Sequence, residues 1–119
     1  ITCIYTGKKL TSDKYEVEHF IPHSFVSHDL IWNLLPADPS FNSSKNNKLP
    51  PLEKYFNPFF TLQKNAVEII KAKTPKNSLL QDYLVILPDY EISFTKVKFK
   101  EVFQPLITIA SNNGFEFLE

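Results

Sequence analysis

EVEHFIPHSF, residues 16–25, followed by WNLLPADPSFNSSKNNKLP, residues 32–50, is the part of the chain whose reading decides the fold. Tyr15, Val17 and His19 alternate with Glu16 and Glu18, the period of a short strand, and Pro22 ends it. Between Ser27 and Leu35 the apolar residues Leu30, Ile31, Leu34 and Leu35 stand at i, i+1, i+4 and i+5, which fits a helical turn or a second short strand. A short helix is expected to open near Asn42, a good capping residue, and to close before Pro50–Pro51. Strand, short segment and helix in this order predict an α+β unit over residues 1–50.

Outward from this stretch the chemistry thins. On the N-terminal side Gly7 with Lys8 and Lys9 marks a turn. Beyond Pro51, Asn57–Pro58 reads as a cap followed by a first-turn proline, with Phe59, Leu62, Ala66, Ile69 and Ile70 at helical spacing up to Thr74–Pro75. A shorter helix is expected from Ser78 to Leu87, then a turn at Pro88–Asp89. Phe99, Val102, Phe103, Leu106, Ile107 and Ala110 form the cleanest stripe, with a kink expected at Pro105 and a stop at Asn113–Gly114. Residues 51–119 therefore read as a helical extension of one domain, and 119 residues with a 43% hydrophobic share suffice for a core.

Thirteen basic and thirteen acidic residues cancel, so overall charge advertises neither a nucleic-acid partner nor a metal sponge. All thirteen cations are Lys, which lack the planar fork that reads guanine edges. Cys3 is the single cysteine, which excludes a disulfide framework and a self-contained zinc site of four cysteines, or of two cysteines and two histidines, and makes a reducing, cytoplasmic setting the default. No apolar run approaches the ~20 residues of a membrane span. With no leader and no Met, the chain reads as a piece of a longer protein with flanking domains.

The chemical reading begins with a metal. A carboxylate and an amide oxygen, both hard ligands, can hold Mg2+ or Mn2+ while leaving positions for water and phosphate, which suits Glu18 and Asn42. An imidazole titrating near ~6.5 can take a proton from water, which makes His19 the candidate general base. Adjacent strand residues point to opposite faces, so Glu18 and His19 converge only if the strand ends or bends there, as Pro22 permits. Asn33 can tie the surrounding loop, and Lys45 and Lys48 supply charge for backbone phosphates. His23 is a candidate contact to substrate, set against an ordinary surface role. His28 reads as structural, Trp32 as a packing anchor against the metal-bearing helix, and the lysines at 64, 71, 73, 76, 96, 98 and 100 as a solvated face.

At these residues the chain resembles the HNH endonuclease family, over roughly residues 3–50. The first motif position is His19, the central Asn is Asn33, and the last is Asn42, while CIYTGKKL, residues 3–10, is similar to the opening of HNH domains in bacterial nucleases. The resemblance implies a ββα-metal core, with Glu18 and Asn42 on a divalent ion, His19 activating water and Asn33 fixing the loop that carries His19. Two departures stand out. Many relatives carry Asp at the position of Glu18, whose side chain reaches roughly 1.5 Å further. Where many carry four zinc-knuckle cysteines this chain has Cys3, Thr6, Asp38 and Phe41, so no structural zinc is expected and apolar packing by Tyr5 and Phe41 must replace it. The expectation is a metal-dependent endonuclease acting on DNA. Its alternative is a non-catalytic nucleic-acid-binding module that has kept the fold.

Overall fold

In the computed structural model, which describes residues 1–118, Glu16–His19 form strand β1 and Leu34–Ala37 form β2. They pair antiparallel, with Glu16 opposite Ala37, Glu18 opposite Leu35 and His19 opposite Leu34. The segment whose period is ambiguous resolves into both options: a 3-10 turn at Ile31–Asn33 runs directly into β2. After Pro22 comes a single helical turn, α1 (His23–Val26), closed by Ser27 in the left-handed region at φ 59°.

Helix α2 spans Pro39–Lys45. It opens three residues before the position expected from Asn42, because Asp38 is the cap: its carboxylate accepts from the Ser40 N–H, and Pro39 takes the first helical position where no N–H is needed. Asn42 therefore sits inside the helix, one turn from Lys45 on the face turned to β1. Ahead of β1, residues 1–15 fold back on themselves around Gly7, whose φ of +76° favours glycine. There Cys3 accepts from the Gly7 N–H and donates to the Lys8 carbonyl.

The helical half differs in detail from its sequence reading. Helix α3 runs Leu52–Lys73, starting after Pro51 rather than at Asn57, with Pro58 inside it. Leu52, Tyr55, Phe56 and Phe59 are all buried on one face, and that burial outweighs the single hydrogen bond Pro58 cannot make. A 3-10 segment follows at Ser78–Val85, then α4 (Tyr90–Ser93) and α5 (Lys96–Asn112), which continues through Pro105 and ends at Asn113. Lys64 is not on a solvated face: it donates to the Phe94 carbonyl at 3.0 Å.

The core is aromatic and drawn from both halves. Phe20, next to His19, stacks on Phe59 of α3 at 4.0 Å and meets Phe103 of α5 edge-on at 5.7 Å. Trp32 also packs against Phe103, not against α2 as expected, and against His28. Leu49 bridges to the C-terminal residues, donating to Glu116 and accepting from Leu118. The architecture is α+β, and among the described residues no helix is long and apolar enough to cross a membrane.

Candidate functional site

Strand β1 distributes the candidate residues between two faces. Glu16 and Glu18 point toward α2, where each meets a partner. The Asn42 amide donates to Glu16 at 3.0 Å, and Lys45 Nζ lies 2.5 Å from Glu18 Oε1. The pair expected to share one ion, Glu18 and Asn42, is thus split between two separate contacts.

Glu18 is 4% exposed and Lys45 1%. Both Glu18 oxygens are engaged, since Oε2 accepts from the Tyr5 hydroxyl at 2.9 Å. Lys45 Nζ is equally saturated, donating in addition to the His19 and Phe20 carbonyls at 3.0 and 3.2 Å. Burial pushes the Glu18 carboxyl up and the Lys45 ammonium down, and each group's charge pulls the other back. Burial and the neighbouring Glu18 raise the Tyr5 hydroxyl well above its ordinary range, so it stays a donor. As placed, Glu18 does not fit a hydrated divalent ion, because both oxygens are engaged and the side chain is almost wholly buried. Nor does Lys45 meet phosphate; it holds the backbone on which His19 stands. Lys48, by contrast, is exposed.

His19 turns to the other side. Its Nε2 lies 2.7 Å from Asp29 Oδ1, and His23 Nε2 is 3.8 Å from the same oxygen. The two imidazoles stand edge to face at 5.0 Å. The hydrogen bond from His19 holds the Asp29 carboxyl below its usual range, against an opposing effect of burial and with lesser help from the His19, His23 and His28 charges. An ionised carboxylate can only accept, so His19 donates from Nε2–H, and in the neutral ring Nδ1 carries the lone pair. Asp29 lies in the loop between α1 and β2, outside any periodic pattern. The only trace of it in the sequence is its place beside His28, one of the three histidines.

Asn33 is fully buried and clamps the chain two residues beyond His19. Its Oδ1 accepts from the Ile21 N–H and its Nδ2 donates to the Ile21 carbonyl, both at 2.9 Å, while its own carbonyl accepts from Phe20 N–H at 2.8 Å. All three partners are backbone groups that Pro22 and the end of β1 would otherwise leave unpaired.

Of the four knuckle positions, Thr6 and Asp38 meet Cys3, and Phe41 meets Tyr5. Tyr5 stacks on Phe41 at 4.8 Å. The Cys3 thiol is buried, which pushes it up, but the Thr6 hydroxyl and the Asp38, Thr6 and Tyr5 backbone groups directed at sulfur outweigh this and leave it lowered.

Residues 3–51 match the family model described as HNH endonuclease, which bears out the resemblance to that family. An HNH domain implies a nuclease-type function on nucleic acid, and nucleases of this kind generally use a divalent metal ion. No curated protein matches the chain, and no solved structure does.

Proposed function

We propose that this chain is a metal-dependent endonuclease that hydrolyses phosphodiester bonds in DNA, built on a ββα-metal core of β1, β2 and α2 with a helical extension. The observation that carries the reading is the His19–Asp29 pair at 2.7 Å within a stretch matching HNH nucleases. Asp29 fixes the imidazole by its Nε2–H, Nδ1 takes the proton from the attacking water, and Asn33 with Lys45 holds the backbone from His19 to Ile21. His19 and Asn33 thus keep the roles read from the sequence, and Asp29 joins them as a positioning residue. Lys48 and His23 offer exposed contacts to phosphate. The ion would be Mg2+ or Mn2+, and Glu18 and Asn42 could hold it together only once Glu18 leaves Lys45 and Tyr5.

The experiment is plasmid nicking in Mg2+ or Mn2+ against chelator. His19→Ala is expected to lower the rate by about 10²–10⁴-fold with the fold retained, and comparable cutting by this variant overturns the assignment of the base. The second reading, a nucleic-acid-binding module without catalysis, draws on the engagement of both Glu18 oxygens by Lys45 and Tyr5. It predicts salt-dependent DNA binding with no metal-stimulated nicking in the parent chain.

A further inference from the structure

His19, His23 and Asp29 offer two imidazole nitrogens and a carboxylate oxygen that all lie within 4.8 Å of one another. We infer that this trio is a binding site for a transition-metal ion of the zinc type, and that occupancy withdraws His19 from base catalysis. The catalytic consequence rests on the nuclease reading above; the site itself does not.

The donor set favours such an ion. Two imidazoles and one carboxylate are ligands of Zn2+, whereas Mg2+ prefers oxygen alone. Ligand bonds of 2.0–2.2 Å in a tetrahedron set neighbouring donor atoms about 3.3 Å apart. The present separations of 2.7 Å and 3.8 Å from Asp29 Oδ1 lie on either side of that value. The adjustment needed is small, and the side chains are free to make it: Asp29 is 75% exposed and His23 55%. The same exposure leaves the fourth position to water. His19 and His23 come from the end of β1 and the start of α1, set four residues apart by the turn at Pro22, so their relative placement is fixed by Asn33 gripping Ile21 between them.

The consequence for chemistry follows from the tautomer. In the metal-free arrangement the neutral His19 ring keeps its proton on Nε2, given to Asp29, and its lone pair on Nδ1. An ion bound at Nε2 takes that nitrogen's lone pair, so the neutral ring must carry its single proton on Nδ1. The proton has moved from one nitrogen to the other with no net release, and the lone pair that would accept water's proton is gone. Zinc-type ions therefore oppose the Mg2+-dependent reaction instead of supporting it.

The test uses the untagged chain and Zn2+ alone, without DNA. Calorimetric titration should show one ion per chain, and the imidazole nitrogen spectrum of His19 should shift to the Nδ1–H form with metal on Nε2. His23→Ala and Asp29→Ala should each weaken binding at least about tenfold, while Cys3→Ser, which leaves the trio intact, binds as the parent does. Zinc binding that ignores the first two substitutions or vanishes with Cys3→Ser overturns the site, as does a His19 ring that keeps its Nε2 proton at saturation. In Mg2+-supported nicking, Zn2+ should inhibit the parent and inhibit His23→Ala at least tenfold less strongly, each compared with its own uninhibited rate. Cleavage supported by Zn2+ in the absence of Mg2+ overturns the withdrawal of the base. A chain that binds Zn2+ as described yet never nicks DNA in Mg2+ would sink the nuclease reading and uphold the site.

Discussion

At the scale of single residues, the sequence motif and the geometry divide over Glu18. Glu18–His19 stands out in the sequence as a chemical pair, and the strand period that carries both residues also sends them to opposite faces. Pro22 acts three residues later, too late to turn Glu18 back, so Glu18 is taken up by Lys45 and Tyr5. Removing one partner of a buried ion pair leaves the other uncompensated. Glu18→Ala and Lys45→Ala should each cost about 3–5 kcal/mol in urea unfolding, and Glu18→Leu with Lys45→Met should recover most of it. A loss below about 1 kcal/mol for either single variant would mean that the pair is not closed in solution. Asp29 was not legible in the sequence, because a loop carboxylate has no periodicity to mark it; only folding brings it to His19. Its lowered carboxyl gives a titration test. A group whose folded value is depressed adds stability above its unfolded value and loses it as pH falls through the folded one. The His19–Asp29 pairing should thus persist below the ordinary Asp range and fade only in stronger acid. In His19→Ala the Asp29 carboxyl, followed by carbon NMR, should titrate at higher pH than in the parent, and an unchanged midpoint would deny the pairing.

Secondary-structure elements were legible where burial and period agree and misplaced where a local signal competed. The strand at Glu16–His19 and the stripe of α5 follow their periods. Asn42 and Asn57–Pro58 both resemble helix starts, but Asp38–Pro39 and Pro51 lie further upstream, and the apolar face already present at Leu52 and Tyr55 extends α3 back past Pro58. Local capping chemistry lost to burial in one case and to a better cap in the other. The turn of residues 3–8 is the element whose stabilisation changed in kind. Hydrogen bonds to Cys3, the Lys8–Asp38 contact at 3.5 Å and the Tyr5–Phe41 stack hold positions that relatives bind with zinc. In Asp29→Ala, which lacks the carboxylate of the His19 trio, chelator alone should therefore leave the melting temperature unchanged, whereas Phe41→Ala should cost at least about 1 kcal/mol. A chelator-induced drop in the melting temperature of that variant would show a structural ion in the turn after all.

Across the whole molecule, the matched stretch cannot bury its own apolar residues. Phe20 and Trp32 pack on Phe59 and Phe103, and Leu49 pairs with the last residues of the chain. The extension also reaches the loop that carries the site. Gln63 of α3 donates to the Ile31 and Leu34 carbonyls at 3.1 and 2.8 Å, Asp82 accepts from the Ile31 N–H at 3.0 Å, and the Tyr83 hydroxyl donates to the far oxygen of Gln63. These bonds bracket the 3-10 turn that begins two residues after Asp29 and ends in Asn33. Residues 1–51 alone should therefore show no cooperative thermal transition, since their core faces lose every partner contributed by α3 and α5. Within the full chain, Gln63→Ala separates support from packing. It takes the Gln63 donor from the Leu34 carbonyl and from the Ile31 carbonyl, which keeps the Leu34 N–H, removes the acceptor of the Tyr83 hydroxyl, and costs about 1–3 kcal/mol. It should also lower the nicking rate, through looser placement of Asn33 and Asp29, while DNA binding stays as in the parent. A variant destabilised by that amount yet nicking at the parental rate would show that the extension serves the fold alone; a folded, cooperative 1–51 would show that it does not serve even that.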